Sequence, residues 1–338
     1  MNNIETISVC IIVKNEEETI QNCLESIKDI ANEIIIVDTG SQDTTIEICK
    51  KYGCNVYQYK WDYNFSNARN FSFKQASSSW ILYLDADEEL DINKNNMIQK
   101  YICETKGIGY TFSIINYYGD YKKEENIYTM KQIRLIKNGC NIKFEGAIHE
   151  QLKISTEQIQ NQIYHIPHAI HHYGYLQPIV RKKEKYKRNM ELLLQELNTG
   201  SKDPWILYYI ANEYYQQQQF EKSKLFLTQA SIQFLLLEKI PPSLLYKLKY
   251  DLLWITGQIE ELLSNITYAI ILYPDYVDLY YYQGLALYQK KQYKEALLSF
   301  QTCLKLGEEN LKYLIERGVG TKKALWYQKK CLEKLEKN

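Results

Sequence analysis

The sequence predicts two domains: an α/β domain on a mixed, Rossmann-like sheet over residues 1–175, then an all-α, tetratricopeptide-like domain over 176–338. Three observations carry this expectation. Short apolar runs alternate with helical periodicity up to about residue 105. Strand-like stretches rich in Tyr, Ile and Gly fill 106–175. From Leu176 onward the strand signal disappears, and small residues recur at a nearly fixed spacing.

In order along the chain, ISVCIIV around Ser8–Val13 is a nearly continuous apolar run, as expected of a strand buried on both faces. NEEETIQNCLESIKDI follows, with Ile20, Leu24 and Ile27 at helical spacing and Glu16–Glu18 in the expected first turn. EIIIVD, ending at Asp38, reads as a second strand, and QDTTIEICKKYG as a helix closed by Gly53. NVYQYK is a third strand, ARNFSFKQA a helix, and WILYLDADEEL a fourth strand running into acidic residues. Strand–helix alternation with short links implies parallel strands, and ligands of such sheets bind beyond the strands' carboxyl ends. Asn15, Asp38 and Asp85 stand there, polar residues placed just after apolar runs. Gly109–Tyr118, Asn126–Lys137 and Gln162–Tyr173 are expected to extend the sheet with a mixed or antiparallel edge.

In the second half, PIVRKKEKYKRNMELLLQEL reads as a helix whose basic run, Arg181–Arg188, is a solvated face over buried Leu192–Leu194. Leu207, Ile210, Ala211, Tyr214, Ser223, Leu227 and Ala230 fit the tetratricopeptide pattern, and Tyr280, Gly284, Leu287, Ala296, Phe300 and Cys303 fit it again. A weaker middle copy has Leu253, Leu262, Ile266, Ala269 and Pro274. Ala230, Ala269 and Cys303 are separated by 39 and 34 residues, and small side chains there let paired helices approach. Lys322–Leu335 is the expected cap of the array.

Composition narrows the function classes. Across 338 residues, apolar types make up 45% and charged types 24%, which are globular proportions. Lys+Arg and Asp+Glu are both 41, so net charge is zero, against a nucleic-acid binder working through a broad basic surface. Mean hydropathy is −0.43, and no apolar run approaches the roughly 20 residues that cross a bilayer. The opening MNNIETISVC lacks the basic and small-residue marks of a secretory signal. Eight scattered Cys with no CxxC pair suggest reduced thiols and a cytoplasmic setting. All five His fall between His149 and His172.

LDADE places Asp85 and Asp87 around one small residue. In an extended chain such residues share a face, so both carboxylates are expected to reach one point. Mutually repelling carboxylates suit a divalent cation bridging phosphate oxygens, Mg²⁺ or Mn²⁺ by their hardness. The alternative is a pair that ends a strand and caps the next helix.

IIVKNEE, IIIVDTGSQDTT, W-DYNFSNARN and WILYLDADEEL, in this order, resemble the nucleotide-binding half of family 2 glycosyltransferases of GT-A fold, over about residues 6–92. FEGAIHE (Phe144–Glu150), HHYGY (His171–Tyr175) and the helical tail are similar to the branch holding peptide S-glycosyltransferases of glycosylated bacteriocins of the sublancin type. That branch also holds transferases acting on cell-surface glycans.

The resemblance implies an inverting, metal-dependent hexosyl transfer from a nucleotide-sugar, a UDP-sugar by preference, to a peptide or protein side chain, Cys or Ser. It implies that Asp38 accepts from the nucleotide base, that Asn15 and Glu16 lie beside the nucleoside, and that Arg69 contacts base or diphosphate. It assigns Asp85 to the nucleotide-sugar and the cation, Asp87 to the cation, His172 to the cation or the diphosphate, His149 to the diphosphate or the base, and Glu150 to general-base work. Each has a plain counterpart: an Asx turn for Asp38, a helix cap for Asn15 and Glu16, a solvated charge for Arg69, satisfied structural roles for the histidines. His165, His168 and His171 are expected to be structural. The repeats are expected to grip the acceptor or to form a homodimer surface. Transfer to a lipid-linked or envelope glycan is the rival within enzymes, and a non-catalytic repeat scaffold the rival outside them.

Overall fold

The computed structural model describes residues 5–91, 97–105, 107–154, 162–182 and 185–337. The chain divides into two compact units, one of residues 1–121 and 131–179, the other of 122–130 and 180–338.

In the first unit the apolar runs are strands. β1 (Ile7–Val13), β2 (Glu33–Asp38), β3 (Asn55–Gln58) and β4 (Trp80–Asp85) alternate with helices α1 (Ile20–Ile27), α2 (Thr45–Lys51) and α3 (Phe65–Gln75). β5 (Glu88–Leu90), α4 (Met97–Glu104), β6 (Gly109–Gly119), β7 (Ile127–Lys137), the small hairpin β8 (Lys143–Glu145) and β9 (Gln151–Lys153), and β10 (Ile163–Leu176) follow. The main sheet runs in the order β3-β2-β1-β4-β7-β6-β10-β5. β1 pairs in parallel with β2 and β4, as β2 does with β3 and β6 with β10, while β4–β7 and β10–β5 are antiparallel. The sheet is mixed, as its second half foretold.

Burial follows the apolar pattern. Cys10, Ile35, Val37, Ile81, Tyr83 and Ile136 of the sheet pack with Phe73 of α3 and Phe144 of β8. Ile20, Cys23, Leu24 and Ile27 bury one side of α1. One boundary differs from expectation. α1 begins at Ile20, so Glu16–Glu18 precede it and place no acid in its first turn. Asn15 takes φ +55°, and the backbone amides of Asn15, Glu16 and Glu17 donate to the side chains of Ser41, Thr45 and Asp43. These contacts tie residues 15–17 to the loop after β2 and the start of α2, ahead of the helix.

Past the short helix α5 (Gln177–Lys182), within which the units divide, the second unit is helical: α6 (Lys185–Asn198), then pairs α7 (Pro204–Gln216) with α8 (Phe220–Leu236), α9 (Ser243–Ile255) with α10 (Ile259–Leu272), α11 (Val277–Gln289) with α12 (Tyr293–Leu306), and finally α13 (Lys322–Leu335). Part of the basic run Arg181–Arg188 lies outside the described residues. Leu192 and Leu193 are buried as expected, whereas Leu194 faces out. Ala230, Ala269 and Cys303 are fully buried, each at a helix contact. Gly284 shows why the repeat needs small residues: a Cβ there would sit 2.7 Å from the Phe300 ring. The two-residue strand β11 (Ile315–Glu316) pairs with Tyr128 and Thr129, so 122–130 is part of this unit. A buried polar knot lies nearby: Lys247 Nζ is 3.0 Å from Asp251 Oδ1 and 3.5 Å from Asp278 Oδ1, with Tyr282 and Glu316 beside it. No helix among the described residues is long and apolar enough to cross a membrane.

Candidate functional site

The acidic residues at the end of β4 are not extended. β4 stops at Asp85, Ala86 and Asp87 form a turn, and Glu88 opens β5. The expectation of a shared strand face is therefore corrected. The carboxylates gather because the turn folds back, and two bonds fix it: the Asp85 amide donates to Glu88 Oε2 at 2.9 Å, and the Tyr173 amide donates to the Asp87 carbonyl at 3.0 Å. The second bond brings β10, and with it His172, to the turn.

His172 Nε2 lies 3.6 Å from Asp87 Oδ1. Ligand atoms of Asp85, Glu88 and His172 lie within 4.8 Å of one another. Glu88, which sequence reasoning passed over, is fully buried, with Oε1 held by Arg134 Nη2 at 2.7 Å and Oε2 by the Asp85 amide. Burial pushes the Glu88 carboxyl up, Arg134 opposing and Asp85 assisting. Each of its oxygens accepts one bond, which frames the turn and leaves a further lone pair on both, so Asp85, Glu88 and His172 stand as the grouped donors, with Asp87 beside His172. Two carboxylates and an imidazole fit Mn²⁺ or Mg²⁺ coordination. A run of consecutive acids in DADEE was the available signal for Glu88.

Arg69, on α3, is buried and joins two predicted site residues: Nη2 meets Asp85 Oδ1 at 2.5 Å and Nε meets Glu150 Oε1 at 2.7 Å. It also lies 5.6 Å from the Tyr83 ring and 5.4 Å from the Phe144 ring. Burial alone would raise the Asp85 carboxyl; Arg69 and Arg134 outweigh it and bring Asp85 down to about 2. Arg69 is thus neither solvated nor turned outward. Glu150 Oε2 has no hydrogen-bond partner among the described residues.

Asp38, buried at the end of β2, accepts from the Ser41 amide at 2.9 Å, an Asx-type turn ahead of Gly40 with its φ of +107°. Asn15 Oδ1 accepts from the Gln42 amide at 2.7 Å, and Glu16 Oε2 from Thr19 Oγ1 at 2.7 Å. Asn15 and Glu16 therefore bind the two loops at the strand ends together. His149 occupies a left-handed position, φ +51°, one residue before Glu150. Of the other histidines, His165 Nδ1 lies 3.1 Å from the Thr111 carbonyl, His168 Nδ1 3.0 Å from the Pro167 carbonyl, and His171 Nδ1 2.9 Å from Tyr117 Oη.

Comparison with known proteins places this geometry. The family described as glycosyl transferase family 2 matches residues 8–182, the stretch that carries all of these side chains. The chain belongs to that family. A tetratricopeptide repeat matches residues 277–310, the pair α11–α12. The glycosyltransferase SunS of the SPbeta prophage in Bacillus subtilis is 31% identical over 211 residues, covering 62% of this chain and 49% of SunS. A TPR repeat-containing protein of Synechococcus elongatus is 30% identical over 204 residues, covering 58% of this chain and 48% of that protein. The chain thus spans about half the length of these curated relatives. Among solved structures, Staphylococcus aureus TarS aligns with a TM-score of 0.37 at 18% identity, over 62% of this chain and 43% of TarS. Family membership and the helical repeat agree with the two-part architecture read from the sequence.

Proposed function

We propose that this protein is an inverting, metal-dependent glycosyltransferase that moves a hexose from a UDP-sugar to a peptide or protein acceptor. The observation that carries the reading is the grouping of Asp85, Glu88 and His172 within 4.8 Å at the carboxyl end of β4, with Asp87 3.6 Å from His172, in a chain of this family. Such side chains there would hold a divalent cation, which supplies positive charge to a departing diphosphate. Asp38, at the end of the neighbouring β2, is assigned to the nucleotide base, its Oδ1 kept in place by the Ser41 amide. Asn15 and Glu16 brace the loops beside the nucleoside. Asp85, clamped by Arg69, is assigned to the nucleotide-sugar and would also help to hold the cation.

Inversion requires a base on the side away from the leaving group. Glu150 is assigned that work: Arg69 fixes Oε1 and leaves Oε2 to take the acceptor proton. A Cys acceptor would ask less of it, since a thiol ionises near pH 8.5, roughly, far below an alcohol. Arg69 thereby serves as a positioning residue for two carboxylates, and His149, next in the chain to Glu150, is the residue assigned to the diphosphate. The helical repeats are assigned to acceptor grip, or to pairing of two copies. The peptide acceptor rests on the similarity to peptide S-glycosyltransferases and on the repeats.

The test is a donor assay. Purified protein should release UDP from one UDP-sugar in Mn²⁺ or Mg²⁺ and stop when the cation is chelated. Asp87→Asn should lower kcat by at least about a hundredfold with the fold retained, consistent with removing a main electrostatic contributor of roughly 3 kcal/mol. Turnover that is insensitive to chelation and to Asp87→Asn would refute the assignment.

A further inference from the structure

We propose that Asn116 is a positioning residue that fixes the His172 imidazole in the tautomer able to bind a cation, an inference that rests on the metal reading above. Asn116 on β6 and His172 on β10 are register partners, and His172 is in turn the partner of Glu88 on β5. Register partners share a sheet face, so the three form one polar row across adjacent strands. The row is largely buried: Glu88 is 0% and Asn116 8% exposed, and the His172 side chain 14%. Buried polar groups need partners, and Glu88 has committed both oxygens to Arg134 and to the Asp85 amide. Asn116 supplies the partner for the imidazole, with Oδ1 2.8 Å from His172 Nδ1.

A carboxamide oxygen only accepts, so Nδ1 carries the hydrogen, and in a neutral imidazole the other nitrogen then holds the lone pair. That other nitrogen, Nε2, is the one facing Asp87 Oδ1 at 3.6 Å. Two acceptors therefore compete for a single imidazole hydrogen. The bond at Nδ1 is of full hydrogen-bond length, while 3.6 Å at Nε2 is not. Remove the Asn116 oxygen and the hydrogen passes to Nε2, drawn by the Asp87 carboxylate, where it blocks coordination. Partners of this kind typically change metal affinity by about 10- to 100-fold.

The experiment titrates Mn²⁺ into the whole protein with UDP present, following bound Mn²⁺ by electron paramagnetic resonance and the ¹⁴N coupling of a ligated imidazole by its pulsed form. The wild type should bind Mn²⁺ and show the nitrogen coupling. Asn116→Leu should bind about 10- to 100-fold more weakly and lose the coupling. Asn116→Asp keeps the acceptor and should keep both. Should Asn116→Leu not fold, Asn116→Ser, too short to reach Nδ1, carries the same expectation. Wild-type affinity and coupling in the Leu or Ser variant would overturn the inference, as would an Asp variant as damaged as they are. A wild type that binds no Mn²⁺ would instead overturn the metal reading, and Mn²⁺ binding unchanged in His172→Ala would overturn only the role of His172 and hence of Asn116.

Discussion

Arg69→Met is the most direct probe of how the site is built. Arg69 is 8% exposed, and its guanidinium holds Asp85 and Glu150 at 2.5 and 2.7 Å. Removing one partner of a buried ion pair costs about 3–5 kcal/mol, because the remaining charge stays desolvated. Solvent screens part of the loss at Asp85, whose side chain is 38% exposed, while Glu150 at 12% keeps most of it. The two ring contacts add roughly 0.5–1 kcal/mol each, but methionine recovers some by packing on Tyr83 and Phe144. The expected loss is about 3 kcal/mol, a fall of about 1 M or more in the urea midpoint at pH 7. The deficit should have a pH signature. In the wild type Asp85 titrates at about 2, below its ordinary 3.8, so its stabilisation is present above pH 4 and is lost as pH falls toward 2. Without Arg69 only Arg134 is left to oppose burial, so that lowering shrinks, and protonation relieves the orphaned Asp85; the gap between variant and wild type should therefore narrow from pH 7 to pH 4. Arg69→Lys, a point charge that reaches one carboxylate, should fall between. A deficit under about 1 kcal/mol, or one unchanged between pH 7 and pH 4, would refute the argument that Arg69 is held by charge.

Other outcomes follow from the same structure. Asp38→Ala should weaken UDP binding by roughly 10- to 100-fold, the worth of a charge-assisted hydrogen bond, read by calorimetry on protein with an unchanged circular-dichroism spectrum. Gly284→Ala should cost about 1–3 kcal/mol by overpacking against Phe300, seen as a lower melting temperature of the helical unit; a neutral result would mean the helices part without strain. Burial lifts the Asp278 carboxyl to about 7, Lys247 opposing, so it is neutral in the fold below that pH and costs stability as pH rises from 4 through 7. Asp278→Asn, which keeps an acceptor for the Glu316 amide, should therefore gain on the wild type by on the order of 2–3 kcal/mol between pH 5 and pH 7 in urea titrations; parallel curves would show that Asp278 does not titrate there.

Much of this was legible in the residues because the relevant physics is local. The apolar runs at β1, β2 and β4 could only be buried strands, and the 39- and 34-residue spacing of Ala230, Ala269 and Cys303 marked where helices touch. Asp85 and Asp87 were singled out by residue type and His172 by the family resemblance, and His172 does lie beside both of them in the fold. What escaped was set by partners far away in sequence. Glu16–Glu18 read as the first turn of a helix, yet the helix starts at Ile20 and the amides of Glu16 and Glu17 go to Thr45 and Asp43. Arg69 read as a ligand contact or a solvated charge, yet two carboxylates 16 and 81 positions away absorb it. Glu88 and Asn116 are register partners of His172, and although the acidic run draws the eye to Glu88, neither that run nor the residues around Asn116 announce the pairing.

The excursion at 122–130 has a practical outcome for anyone wishing to treat the halves as interchangeable cassettes. The backbone departs the sheet unit after β6, lends Tyr128 and Thr129 to β11, and only then returns for the rest of β7. A cut at residue 179 therefore does not free two intact pieces: the helical fragment would be missing a stitch of its own, and the other would carry that stitch dangling. Shuffling this tail onto a different catalytic half would demand that the loan travel with it.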